Sequence, residues 1–168
     1  MSGRSESTIR VAKPSDAEAI APLLGQLGYP ADTEEVRERL GRLLGRPDAG
    51  VLVAERPADP VPERPADPVA ERPNDIVAVA SYQISDLLER SRQQCRITAL
   101  VVRDDRRRLG AAGALVRAIE SVARERGCFR LEVTTSSHRP EAMAFYTAAG
   151  FAERPRRLVK PLAPERGG

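Results

Sequence analysis

The segment Ile97–Val116, ITALVVRDDRRRLGAAGALV, most limits what this chain can fold into. Ile97 and Ala99–Val102 form an apolar run of the length and composition of a buried strand. A charged stretch, Arg103–Arg108, interrupts the run, and the chain restarts as an amphipathic helix through Leu109-Gly110-Ala111-Ala112-Gly113-Ala114-Leu115. The first amides of a helix have no internal partners, and the aligned peptide dipoles add roughly half a positive charge there. Gly and Ala at those positions let an anion such as a pyrophosphate reach the backbone. A strand and helix joined by a solvated basic loop fit the same residues, and the segment alone does not separate the two readings. Two familiar phosphate loops are excluded. No Lys-Ser or Lys-Thr pair completes a G-x-x-x-x-G-K-[ST], and Gly110-Ala-Ala-Gly113 is not G-x-G-x-x-G.

A chain of 168 residues is one domain, long enough for a real core. The formal charge of +3 gives no case for nucleic acid as the main ligand. Cys95 and Cys128 are too few and too far apart for a disulfide framework or a zinc site, so free thiols in a reducing cytosol and no metal are expected. No apolar run is long enough to span a membrane, and MSGRSEST has no apolar signal core. The expected protein is soluble and cytoplasmic.

In chain order, residues 1–8 read as a flexible terminus and Ile9–Ala12 as a short strand. Ser15-x-x-Glu18 has the pattern of a capping box before a helix carrying Ile20, Leu23, Leu24 and Leu27, which Gly28-Tyr29-Pro30 ends. Asp32-x-x-Glu35 opens a second helix with Val36, Leu40, Leu43 and Leu44 on one face. Gly50–Glu55 reads as a strand. Three tandem octads follow, ERPADPVP, ERPADPVA and ERPNDIVA, and the last runs into a strand at Ile76–Ser85. Proline in this pattern does not suit a sheet interior, and so few apolar residues build no core. Residues 55–74 are therefore expected to be a loop inserted at a hairpin tip, where loop closure costs grow only logarithmically with length.

The turn Asp86–Arg92 precedes the strand Gln94–Val102, and the long helix buries Leu109, Ala112, Leu115, Val116, Ile119, Val122 and Ala123. Phe129–Thr135 alternates as a strand, a short helix ends at Gly150, and Phe151–Glu153 and Arg156–Lys160 read as closing strands before a loose tail at 163–168. The order β-α-α-β-β-β-α-β-α-β-β gives an α/β (α+β) domain over residues 9–162, with a mixed central sheet flanked by helices.

Arg107-Arg108-Leu109-Gly110-Ala111-Ala112 resembles the [QR]-x-x-G-x-[GA] acyl-CoA signature of the GNAT N-acetyltransferases. Ala142-Met143-Ala144-Phe145-Tyr146-Thr147-Ala148-Ala149-Gly150-Phe151 resembles the family's A-x-x-F-Y-x-x-x-G-F segment. The resemblance covers the chain from about Ile9 to Leu162 and includes the element order. Three positions depart from the family's habits: Ala112 replaces a frequent Gly, Asp104 a common Pro and Arg139 a common Asn.

The resemblance implies transfer of an acetyl group from acetyl-CoA to a primary amine of a small molecule or a protein, without a metal. The implied donor site is Leu100, Val101 and Val102 pairing with the pantetheine arm, with Arg107, Arg108, Leu109, Gly110, Ala111, Ala112 and Gly113 around the pyrophosphate. A strand bulge in the family aims a backbone N–H at the thioester oxygen. Tyr146 is the implied general acid, because a phenol stays protonated at neutral pH and can donate to a departing thiolate. Phe145 would then anchor its helix while Tyr146 looks into the cleft. Asp86, Glu89, Glu132 and His138 all remain open as the base. The two early helices and the loop holding Tyr29 form the acceptor side in this family, and homodimers are common in it. A GNAT-like domain that binds acyl-CoA as a sensor, or an interaction domain working through its octads, is the alternative.

Overall fold

The computed structural model describes residues 7–56, 75–135, 140–154, 160 and 162. Among these residues, five strands lie in the order β1 (Thr8–Val11), β2 (Ala49–Arg56), β3 (Asp75–Ser85), β4 (Gln94–Val102) and β5 (Leu131–Val133). The first four pair antiparallel, and β4 pairs parallel with β5. A parallel pair needs a crossover, supplied here by α3 (Ala111–Glu125). The other helices are α1 (Ala17–Leu27), α2 (Thr33–Leu44) and α4 (Pro140–Ala148).

Period-two alternation along the strands divides the core between the two faces of the sheet. On one face Leu52, Ala54, Ala80, Cys95 and Ile97 pack with Leu115, Ile119 and Ala123 of α3. On the other, Val51, Val53, Val79 and Val101 pack with Ile20, Leu23, Val36 and Leu40 of α1 and α2. Leu115 and Ile119 are fully buried, so truncating either to Ala costs about 2–5 kcal/mol.

The start of α1 differs from the capping-box reading. A 3-10 turn, Pro14–Asp16, leads into the helix, and it is the Asp16 carboxylate that accepts from the Lys13 N–H at 2.7 Å. Ser15 and Glu18 are both exposed. Asp16 also takes a two-point contact from the Arg10 guanidinium at 2.7 and 2.9 Å, tying β1 to α1. Burial pushes the Asp16 carboxyl up, but the Arg10 and Lys13 contacts outweigh it and hold the group below its ordinary range. The second cap is as read: Asp32 accepts from the Glu35 N–H at 2.9 Å.

Other boundaries shift for local reasons. Thr8 already pairs with Glu55, so the ordered chain reaches into the segment expected to be a flexible terminus. Leu109 is 45% exposed rather than on the buried side of the helix, because Gly110 at φ +89° sets the helix start after it. Phe151–Glu153 forms no strand. Gly150 lies at φ +90° and the Phe151 N–H bonds back to the Tyr146 carbonyl at 2.9 Å, so the end of α4 takes the donor a ladder would need. The octads at 57–74, the strand read at Arg156–Lys160 apart from Lys160 itself, and the tail 163–168 lie outside the described residues. Lys160 is in no strand. The ladder runs slightly past the expected loop boundary: Glu55 and Arg56, read as the start of the inserted loop, still pair with Ile76 and Asp75 as the last pairs of β2 and β3.

Candidate active site

The site grows from an irregularity in β4. Ser81 faces Ala99 and Tyr82 faces Ile97, so Thr98 is an extra residue, a bulge. Side-chain parity records the same event: Cys95 and Ile97 lie against the α3 core, and beyond the bulge Leu100 and Val102 take that side. Val101 is turned to the α1–α2 core. The Thr98 hydroxyl meets the Ser81 hydroxyl at 2.7 Å. The bulge therefore lies just before the Leu100–Val102 segment.

At the same level β4 loses its outer neighbour. β5 pairs with Cys95, Arg96 and Ile97 and then ends at Val133. From Thr98 to Val102, β4 is bonded to β3 on one side only, and no strand among the described residues covers its other edge. The two strands part there, and an open backbone edge accepts an extended chain as an added strand.

The loop Arg103–Leu109 follows directly, and three other elements fix it. The Arg103 N–H bonds to the Val77 carbonyl at 2.8 Å. The Arg103 guanidinium bonds to Asp75 at 2.6 Å and Asp105 at 2.7 Å. The Asp104 N–H bonds to the Gln26 side-chain oxygen of α1 at 3.1 Å, and Arg56 of β2 donates to the Leu109 carbonyl. Arg108 sits at φ +64°, a conformation that costs a non-glycine residue on the order of 1–2 kcal/mol.

Ala114 is the first α3 residue whose amide reaches back to a carbonyl, that of Gly110 at 3.0 Å. The amides of Ala111, Ala112 and Gly113 before it are the free donors of a helix start. A Cβ built on Gly110 meets nothing within 4 Å, so the space in front of the helix is open. Arg107 is exposed and paired with Asp104 at 2.5 Å. Arg108 is exposed and has no ion pair or hydrogen bond among the described residues. Backbone amides, open space and guanidinium groups are a donor set that fits a diphosphate.

Tyr146 departs from the picture of a side chain looking into a cleft. It is 9% exposed and more buried than Phe145, with Phe145 and Phe151 edge-on to its ring at 5.1 and 5.4 Å. Burial pushes its phenol up to about 12. Its hydroxyl makes no hydrogen bond among the described residues.

The base candidates separate. Asp86 accepts from the Gln93 side chain at 3.1 Å, and Glu89 is exposed in the same β3–β4 turn. That turn feeds the start of β4, the end opposite the donor loop. Glu132 lies at the parting strands, one pair before Ile97 and Val133. Leu131 and Val133 pack toward α3, whereas Glu132 bonds to Arg96 at 2.7 Å and faces Arg130 at 3.2 Å. His138 lies outside the described residues. Ser81, Thr98 and Arg96 were not singled out in the sequence. Only the polar interruption of ITALVV by Thr98 marks them there.

Tyr29 follows the left-handed Gly28 and is 68% exposed. An open cavity of about 450 Å³ lies between α1 and α2, with Glu18, Gly25, Pro30 and Thr33 in its lining. Cys95 and Cys128 are free thiols, both pushed up by burial, Cys95 to about 12, which makes them poor nucleophiles. Among the described residues no helix is long and apolar enough to cross a membrane, and no group of three or more His, Cys, Asp or Glu is placed to hold a metal.

The Acetyltransferase (GNAT) family model matches residues 29–151. A comparison with curated proteins found no match. The fold is similar to that of a GNAT family acetyltransferase from Staphylococcus aureus subsp. aureus USA300_TCH1516, at 18% identity and TM-score 0.72, covering 94% of this chain and 99% of that one. It is also similar to glucosamine-6-phosphate N-acetyltransferase from Arabidopsis thaliana, at 20% identity and TM-score 0.71, with 94% and 99% covered. The aminoglycoside N-acetyltransferase AAC(6')-Iy in complex with CoA aligns at 18% identity and TM-score 0.75, with 94% and 95% covered. At these identities the likeness concerns the fold, and the family model carries the assignment: the chain belongs to the GNAT acetyltransferase family.

Proposed function

We propose that this protein is an N-acetyltransferase that passes an acetyl group from acetyl-CoA to a primary amine of a small molecule or a protein, by direct attack in a ternary complex. The observation that carries this reading is the open edge of β4 running straight into a tethered loop and a helix start with free amides. Acetyl-CoA, when bound, supplies an activated acyl thioester and a diphosphate by which to hold it.

The amides of Ala111, Ala112 and Gly113 take the diphosphate, with Arg107 and Arg108 beside them. Leu109 and Gly110 shape the approach. The backbone of Leu100, Val101 and Val102 pairs with the pantetheine arm. Next to it, the Thr98 bulge turns main-chain N–H groups out of the regular ladder, where one can stabilise charge developing on the acyl oxygen. Such a donor is fixed by the sheet and needs no reorganisation during reaction.

Tyr146 acts on the leaving sulfur. A phenol at about 12 is a weaker acid than a thiol near 8.5, so complete proton transfer is uphill by several kcal/mol. Tyr146 therefore works chiefly as a hydrogen-bond donor to the thiolate. The acceptor approaches over the sheet face carrying Ser81, Arg96, Thr98 and Glu132, and its ammonium loses a proton to water or to a carboxylate before attack.

The test is acetyl-CoA binding and thiol release with a panel of primary amines, for the wild type and Tyr146→Phe. Binding and turnover in the wild type, with binding kept and turnover lost in the variant, support the reading. Binding without turnover across the panel favours the acyl-CoA-binding alternative, and absent binding removes both.

A further inference from the structure

Arg56 lies at the end of a strand, outside every motif that relates this chain to its family. It is nevertheless the side chain that reaches the far end of the donor loop. With Asp75 it forms the last pair of the β2–β3 ladder, immediately before the octads. Its Nη2 donates to the Leu109 carbonyl, and its Nε donates to the Ser7 hydroxyl at 2.9 Å. Asp75, its partner across the ladder, holds the Arg103 guanidinium at 2.6 Å. One rung of the sheet thus grips both ends of the donor loop, Arg103 through Asp75 and Leu109 through Arg56.

The grip on Leu109 has a directional consequence. In a trans peptide the carbonyl and the following N–H point in opposite directions, and there is no cis peptide bond among the described residues. Holding the Leu109 oxygen toward β2 aims the Gly110 N–H away from β2, in front of α3. The local chain does not impose that orientation. Gly110 is at φ +89° with open space around its α-carbon, and glycine tolerates the rotations that would flip the peptide. A flipped peptide would turn a carbonyl oxygen toward an incoming phosphate.

We infer that Arg56 is a positioning residue for the donor site, fixing the Leu109–Gly110 peptide so that the Gly110 N–H joins the amides that receive the diphosphate. This rests on the donor reading above. It also explains how a repeat-bearing segment can spring from the rim of the site. The rung at its base is tied to the loop, so the length beyond it is decoupled from donor binding.

The experiment uses the full chain, with acetyl-CoA and its 3′-dephospho form titrated calorimetrically into wild type, Arg56→Met and Arg56→Lys. It adds unfolding curves without ligand and the ¹⁵N–¹H resonance of Gly110. Loss of a charge-assisted hydrogen bond is expected to weaken acetyl-CoA about tenfold in Arg56→Met. Arg56→Lys, which restores a cationic donor, recovers most of that loss. Both ligands weaken by the same factor, the unfolding midpoint stays in place, and the Gly110 resonance moves in the free Met variant. Unchanged binding in Arg56→Met overturns the inference. So does a loss confined to the 3′-phosphorylated ligand, which would show direct contact, or an unmoved Gly110 resonance. A wild type that binds no acetyl-CoA overturns the donor reading itself before any variant is compared.

Discussion

Strand β4 serves two regions that differ in construction. Its open edge, the loop after it and the start of α3 present main-chain groups: free amides, an unpaired strand edge and a left-handed glycine. Its face near the parting from β5 presents side chains instead: Ser81 with Thr98, and Glu132 between Arg96 and Arg130. The first region needs small residues at set positions, so it leaves a motif. The second is assembled from four strand positions, any of which accepts many polar residues without disturbing the fold.

The largest expected effect concerns the group proposed to act on the leaving sulfur. Tyr146→Phe should lower kcat by about 10²–10³ while leaving the acetyl-CoA Kd within twofold, read by thiol release and calorimetry. Equal losses in binding and turnover would instead make Tyr146 a packing residue. Gly110→Val challenges the main-chain side. A β-branched residue at φ +89° is strained by at least 1–2 kcal/mol although the space is open, so the acetyl-CoA Kd should rise tenfold or more. Tight binding by this variant would show that side chains, not backbone geometry, hold the donor.

The raised Tyr146 group also links the site to stability at high pH. Its folded pKa of about 12 lies above an unfolded value near 10. Its contribution is complete below pH 10 and is lost as the pH rises through 12. Urea unfolding between pH 9 and 11 should therefore show a smaller alkaline decline in Tyr146→Phe than in the wild type, by about 1 kcal/mol. On the face near β5, Glu132→Gln should change kcat/KM for the amine by less than about fivefold if Glu132, engaged by Arg96 and Arg130, ties the strands together rather than taking the proton. A hundredfold loss would reinstate it. The smallest effect is expected from removing one octad, residues 63–70. With the Arg56–Asp75 rung intact, the acetyl-CoA Kd should stay within about twofold, since loop length changes closure cost only weakly.

The strand, loop and helix start from Gln94 to Val116 were legible as local structure, because an apolar run, a charged stretch and a Gly-Ala helix start follow one another. The mixed sheet with helices on it was legible from the element order, since the apolar runs of β2, β3 and β4 are those of strands covered on both faces. The end of α4 was not, because Phe151 and its neighbours read equally well as a strand until Gly150 turns the chain back on Tyr146. Asp16 was hidden behind the better-known Ser15-x-x-Glu18 pattern, and its role depends on Arg10 arriving from β1. Arg56 and Gln26 were illegible for the same reason: each acts on a peptide group 50 or more positions away. The family resemblance and the step from Phe145 to Tyr146 on a short helix suggested a cleft-facing ring, but neither reveals that Phe145 and Phe151 enclose it.

The central claim is that main-chain groups from Leu100 to Gly113 hold the donor, and amide resonances test it most directly. Acetyl-CoA should be titrated into ¹⁵N-labelled protein, with ATP as the control. The account predicts saturable binding by acetyl-CoA and not by ATP, with the largest shifts at Val101, Val102 and Gly110–Gly113. At a hundredfold excess over Kd, acetyl-CoA should also stabilise the fold by about 2.7 kcal/mol. Shifts centred elsewhere, equal binding of ATP, or no binding at all would contradict it.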